Sequence, residues 1–175
     1  MKNVIRFTGI ALVLVTLSLN VIAQIVTVST TATATANIIA PLTIDKVEDM
    51  NFGNVAVQNA TTGVVMLATD NTRTSTGGAS PVYTAPGVVK AAAFDLTGSD
   101  GYVTLIALPA TCNVTSGANS MLVNNFVSNP ATPSFIFPTG GTATLLVGAT
   151  LNTAAGQPVG LYVSPTAFTV TVSYQ

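Results

Sequence analysis

Phe168-Thr169-Val170-Thr171-Val172-Ser173-Tyr174-Gln175 closes the sequence, its apolar or aromatic side chains alternating strictly with hydroxyl or amide ones. A period of two fits a β-strand with one face on a core and the other in water, and it fits no helix. The same period runs from Gln24 to Ile38, where Val26, Val28, Thr30, Ala32, Ala34, Ala36 and Ile38 share one face and Thr27, Ser29, Thr31, Thr33, Thr35 and Asn37 the other. A globular strand averages about five or six residues, so a run of this length predicts a strand that partly projects beyond its own domain.

Between these ends the pattern repeats in shorter pieces. After Pro41, which marks a bend or an edge position, Leu42, Ile44 and Val47 resume the alternation. Gly53, between apolar neighbours, predicts a bulge or a close backbone approach. Val64 to Ala68 reads as a strand, and Thr69 to Pro86, rich in Thr, Ser, Gly and Pro, as a hairpin tip or long loop. Val88 to Leu96 and Tyr102 to Leu108 flank Thr97-Gly98-Ser99-Asp100-Gly101, which predicts a β-hairpin. Met121 to Val127 and Ala143 to Val147 form a further strand pair. With no convincing helical period anywhere, the chain reads as all-β: an antiparallel immunoglobulin-like β-sandwich of about eight to ten strands, with no substantial helix in the mature chain.

The N-terminus reads differently. Lys2 and Arg6 precede an apolar run from Phe7 to Leu19, and Val21-Ile22-Ala23 leads to Gln24. This is the pattern of a secretory signal peptide cleaved after Ala23, and the run falls short of the roughly 20 residues that span a bilayer. The organisation is therefore a leader at 1–23, a projecting strand at 24–31 and one sandwich domain at 32–175, exported to the periplasm, the cell surface or the medium. No integral membrane segment is expected after cleavage.

Composition excludes several functions. After the leader, Lys46, Arg73 and Lys90 face Asp45, Glu48, Asp49, Asp70, Asp95 and Asp100, a net of 3 − 6 = −3. So few cations make no footprint on nucleic acid. Only 6% of the residues are charged, and the polar surface is mostly Thr, Ser and Asn, so association is the expected fate of any uncovered sheet edge. The sequence has no His, which removes the commonest general base and the commonest zinc ligand. Glu48 and Asp49 read as a solvated strand end, and Asp95, Asp100 and Asn113 as turn formers without the spacing of a calcium loop. Cys112, alone, reads as a small buried hydrophobe with no disulfide partner. No catalytic residue, cofactor or metal site is expected, and an enzyme is not the expected reading; a hydrolase would need a cleft with close acidic residues.

Ala36-Asn37-Ile38-Ile39-Ala40-Pro41-Leu42-Thr43-Ile44, Met50-Asn51-Phe52-Gly53-Asn54-Val55, Gly141 to Leu151, and Gly160-Leu161-Tyr162 with Phe168 to Tyr174 together resemble the bacterial domain-of-unknown-function family 4402, a family of secreted β-sandwiches. The ends are also similar to pilin subunits of the chaperone-usher type, in which an N-terminal extension completes the immunoglobulin-like fold of a neighbouring subunit. That resemblance implies a fimbrial-like cell-surface subunit that associates with itself or with related surface subunits, with a periplasmic chaperone as a further partner. The chaperone would pair with the last strand, where Phe168, Val170, Val172 and Tyr174 hold the matching positions. The inward face of a donated strand would be Val26, Val28, Thr30 and Ala32, since strand addition draws affinity from main-chain bonds and register from alternate side chains. Two alternatives stand beside it: an ordinary first strand in a self-complete sandwich, and a monomeric adhesin-like binding module contacting its ligand through Thr69 to Pro86 and Val127 to Gly141.

Overall fold

The computed structural model describes residues 26–175, and the predicted leader lies outside them, as do Gln24 and Ile25. The chain divides into two units, one ending at Asn37 and the other running from Ile38 to Gln175. In the first, residues 26–37 are exposed throughout and belong to no strand. The long strand predicted from Gln24 to Ile38 is assigned to no strand over residues 26–37.

The second unit holds twelve strands where eight to ten were expected, and every pairing is antiparallel. They are β1 (Thr43–Glu48), β2 (Val55–Val57), β3 (Gly63–Leu67), β4 (Arg73–Gly77), β5 (Ala79–Pro81), β6 (Ala92–Thr97), β7 (Val103–Ala107), β8 (Thr111–Ser116), β9 (Asn119–Asn129), β10 (Ser134–Ile136), β11 (Thr142–Thr153) and β12 (Thr171–Tyr174). No helix occurs among the described residues. The all-β, sandwich-like architecture expected from the sequence is the one observed.

β11 is the spine of a seven-stranded sheet. Along one edge it pairs first with β6, at Thr142 to Val147, and then with β3, at Ala149 to Thr153. Its other edge takes β9, from Leu146 to Asn152. Gly148 sits at the fork between β6 and β3, where a Cβ would strike the carbonyl of Leu67. β1 pairs outside β6, β4 outside β3 and β8 outside β9, so the forked sheet curls into a half-barrel. A three-stranded sheet, ordered β10-β7-β12, faces it, and β2 with β5 makes a small ribbon.

Alternation along these strands sends Ala92, Leu96, Ile106, Phe137, Leu145 and Val147 into the main core, with Leu42, Ile44, Phe168, Val170, Val172 and Tyr174 half-buried against it. A second core gathers Val123, Ala149 and Leu151, with the half-buried Cys112 packed on it. Burial pushes the Cys112 thiol up from its ordinary value, which disfavours the reactive thiolate.

Three local readings differ from the structure. Thr97 to Gly101 does reverse the chain, but β6 and β7 never pair, because both edges of β6 are taken by β1 and β11. The turn is a crossover from one sheet to the other. Thr69 to Pro86 holds more than a hairpin tip or a long loop: it opens with the β3–β4 turn and contains β4 and β5, anchored by a buried cation. Arg73 is 7% exposed and donates to the carbonyls of Phe52 (2.6 Å), Asn54 (3.0 Å) and Val82 (3.1 Å). Beside it the Tyr83 ring lies 5.8 Å from the guanidinium, and the Tyr83 hydroxyl donates to the Arg73 carbonyl at 3.0 Å. Gly53 is the predicted close approach: it adopts φ +66°, and a Cβ there would meet the carbonyl of Pro86. Finally, the last strand begins at Thr171 rather than Phe168. Continuing its register on β7, where Thr171 faces Ala107, would set Thr169 opposite Pro109, which has no N–H to give.

Candidate strand-pairing site

β12 borders β7 on one side, and no strand of the described residues pairs with its other edge. Gln175 N–H donates to the carbonyl of Val103 at 3.0 Å, which fixes the phase of the ladder. Hydrogen-bonded residues alternate along an antiparallel pair, so Gln175, Ser173 and Thr171 turn their backbone groups toward β7. Val172 and Tyr174 therefore turn theirs outward, while their side chains lie half-buried on the core. One set of residues thus supplies both an inward apolar face and an outward row of donors and acceptors. The predicted pairing face, Phe168, Val170, Val172 and Tyr174, is brought together on this core, although Phe168 and Val170 precede the ladder. The Phe168 ring packs on Phe126 with centroids 5.2 Å apart.

Tyr174 closes one end of this edge. Its hydroxyl accepts a hydrogen bond from the Ser99 N–H (2.7 Å) and donates to the Ala40 carbonyl (3.0 Å). Ala40 N–H in turn donates to Ser99 Oγ at 2.8 Å. The end of β12, the β6–β7 crossover and the segment entering β1 are thereby knotted at a single hydroxyl. The Tyr102 ring stands edge-on to Tyr174 at 5.8 Å.

Three other edge strands, β1, β8 and β10, carry features that limit pairing. β1 presents Asp45, Lys46 and Glu48 and is bulged between Lys46 and Glu48. Its ion pairs, Lys46 with Asp49 at 2.7 Å and Glu48 with Lys90 at 3.7 Å, are surface-exposed and worth little to stability. Along β8, Thr115 exchanges backbone bonds with Val163 (2.8 and 2.9 Å). β10 is only three residues long. From Gly101 to Gln175 the sequence contains no Asp, Glu, Lys or Arg at all, so β7 to β12 form a charge-free half of the domain. That signal is legible in the sequence, although a composition averaged over the whole chain hides it.

The predicted donor positions belong to no strand. Val26 and Val28 are 78% and 87% exposed, and Thr30 and Ala32 are exposed as well. Asp95, Asp100 and Asn113 do not converge. Asp95 accepts from Thr144 Oγ1 at 3.2 Å, Asp100 holds the Gly140 N–H at 3.0 Å, and Asn113 lies in β8. Among the described residues no group of three or more His, Cys, Asp or Glu side chains is placed to hold a metal ion. An open depression of about 410 Å³ lies between β3, β4 and β11, lined by Thr62 to Val64, Thr76, Gly77, Asn152 and Thr153, with neither a charge nor a ring to orient a ligand. Among the described residues no helix is long and apolar enough to cross a membrane.

This architecture defines an all-β domain whose last strand is an open, uncharged edge. The family model for a domain of unknown function, DUF4402, matches residues 42–174, from the residue before β1 to the end of β12, and the chain belongs to that family. No curated protein and no solved structure matches it.

Proposed function

We propose that the protein is an exported, non-catalytic structural subunit of the bacterial cell surface that assembles by strand addition, the arm at residues 26–37 of one copy pairing with the β12 edge of another. The observation that carries this reading is the β12 edge itself: outward backbone groups at Val172 and Tyr174, an apolar face behind them, and, among the described residues, no charged side chain or bulge in the strand and no strand paired with its second edge.

The arm fits the edge in chemistry and in length. Its alternating face, Val26, Val28, Thr30 and Ala32, is exposed and paired in no strand. Twelve residues reach about 40 Å when extended, and the seven from Phe168 to Tyr174 need about 24 Å, which leaves a short linker. The small side chains at Thr30 and Ala32 add little apolar burial, so main-chain bonds carry most of the affinity. Export is supported by the leader-like pattern around Lys2, Arg6 and Phe7 to Leu19.

Light scattering after size exclusion tests this on the mature chain from Gln24 beside a form beginning at Ala32. Because residues 26–31 join no ladder, their removal costs the sandwich no strand pairing. The mature chain is expected to form higher oligomers, and the shortened form to stay monomeric and bind a peptide covering residues 24–31. Two equally monomeric forms would overturn the reading.

A second reading has its own observation. Val159, Leu161 and Val163 are 101%, 82% and 56% exposed, yet their segment is pinned by Gln157 to the Tyr162 hydroxyl (2.9 Å) and by Tyr162 to the Pro158 carbonyl (2.9 Å). A fixed, exposed apolar strip suits a monomeric adhesin-like module, and a stable monomer that retains surface binding without its arm would favour it.

A further inference from the structure

We infer that the strip Val159, Leu161 and Val163 docks on a lipid bilayer of net-neutral headgroups, its three side chains entering the boundary between headgroups and acyl chains. This stands apart from strand addition and deepens the surface-binding reading of the same strip by naming its partner.

The alternation of this segment is inverted. An extended segment on the edge of a domain in water turns its apolar side chains to the core and its polar ones to solvent. From Val159 to Ser164 the reverse holds. Tyr162 is half-buried, its hydroxyl donating to the Pro158 carbonyl and accepting from Gln157 Nε2. Ser164 Oγ reaches the carbonyls of Asn113 in β8 (3.2 Å) and Thr166 (2.6 Å). The alternate residues, Val159, Leu161 and Val163, are the ones left in solvent. Apolar side chains outward and polar ones inward is the pattern of strands that face lipid. The strip is also held in place. Thr115 exchanges backbone bonds with Val163 at 2.8 and 2.9 Å, and Pro158 and Pro165 restrict the backbone at its two ends. Docking therefore costs little further ordering.

Charge and area select the occupant. From Gly101 to Gln175 there is no cation to draw anionic lipid and no carboxylate to be stripped of water at the boundary, which matches neutral headgroups. A second copy laid strip against strip would engage residues 158–165 on each side, where a stable protein interface takes about 20–30. A protein pocket would have to be shaped to three side chains that stand clear of the surface, whereas a bilayer boundary admits them unshaped. Three aliphatic side chains bind reversibly, as a single acyl chain does, and far short of a membrane span.

The sequence has no Trp, so Leu161→Trp in the mature chain from Gln24 is a unique fluorescent probe at a position kept apolar. With phosphatidylcholine vesicles its emission is expected to shift to the blue and to be quenched by lipids brominated on their acyl chains. Combining Val159→Ser, Leu161→Ser and Val163→Ser should lower co-sedimentation with these vesicles at least about tenfold. The urea midpoint of that variant should not move, because the three side chains are exposed. Vesicle binding should change less than about twofold when salt rises from about 0.05 to 0.5 M, and a steep salt dependence contradicts the neutral-headgroup assignment. A blue shift that arises without lipid and grows with protein concentration gives the strip to a second copy and overturns the proposal. Retention on intact bacterial cells that the triple serine variant loses, with no response to vesicles, overturns the lipid assignment and leaves the surface-binding reading standing. No strip-dependent retention on either vesicles or cells overturns both.

Discussion

Replacing Arg73 with Ala removes the one buried cation among the described residues, and the cost follows from its surroundings. Its guanidinium serves three backbone carbonyls, Phe52, Asn54 and Val82, and none of its partners is a carboxylate. A hydrogen bond to a charged group contributes about 1.5 kcal/mol at the low end, so three give about 4.5 kcal/mol. The Asn54 carbonyl keeps the Val82 N–H at 3.0 Å when the guanidinium goes, which returns roughly 1 kcal/mol of that. The expected loss is about 3.5 kcal/mol, a large share of the roughly 5–15 kcal/mol that holds a domain folded. With an m-value near 2 kcal/mol/M, the urea midpoint should fall by about 1.7 M at unchanged slope. Arg73→Lys should lie between the two, because one ammonium cannot span three carbonyls on two separate segments. A midpoint shift below about 0.5 M for Arg73→Ala would refute the reasoning and mean that water replaces the guanidinium at little cost.

Three further outcomes are expected. Thr104 is fully buried in β7 and its hydroxyl has no hydrogen-bond partner, so Thr104→Val should raise the unfolding free energy by about 1 kcal/mol, read from the same urea titration. Tyr174→Phe deletes the hydroxyl that joins Ser99 to Ala40 and should lower stability by about 1–2 kcal/mol while leaving the β7 ladder intact, which hydrogen exchange at Ser173 and Gln175 reports. Asp70 accepts bonds from the Thr72 hydroxyl (2.6 Å) and N–H (2.9 Å), the hydroxyl being the larger influence, and its carboxyl is held below the ordinary Asp value. A depressed pKa stabilises the fold above the unfolded-state pKa, and that contribution is lost as pH falls through the folded one. The difference in thermal midpoint between the native chain and Asp70→Asn should therefore be constant near neutrality and vanish in acid below the ordinary Asp range; a gap that widens there contradicts this assignment.

The sequence disclosed this fold through period and turn chemistry, and concealed what depends on partners far along the chain. Val170, Val172 and Tyr174 alternate in any reading, but the start of β12 at Thr171 depends on Pro109, a residue of the strand connection opposite. Gly98 and Gly101 announce a reversal after β6, but whether it makes a hairpin or a crossover depends on β1 and β11 having already filled the edges of β6. Thr69 to Pro86 looks like a hairpin tip or loop because its residues are small and polar, while its order comes from β4 pairing with β3, β5 pairing with β2, and Arg73 reaching Phe52 and Asn54. The candidate site was legible as a pair of alternating runs at the two ends of the chain. The features that limit pairing at β1, β8 and β10 became visible only with the topology.

The charge desert from Gly101 to Gln175 bears on how an assembly would respond to its surroundings. Salt acts on a contact by screening fixed charges, and acid acts by neutralising them. A joint made of Val, Thr, Ser and backbone amides offers neither handle. Fibres built on it would keep their length between about 0.01 and 1 M ionic strength, a range across which the screening distance shrinks tenfold, and would come apart only in agents that compete for peptide groups and apolar surface, such as urea or guanidinium. In an assembly of that kind, such indifference would be a mechanical property written into seventy-five consecutive residues.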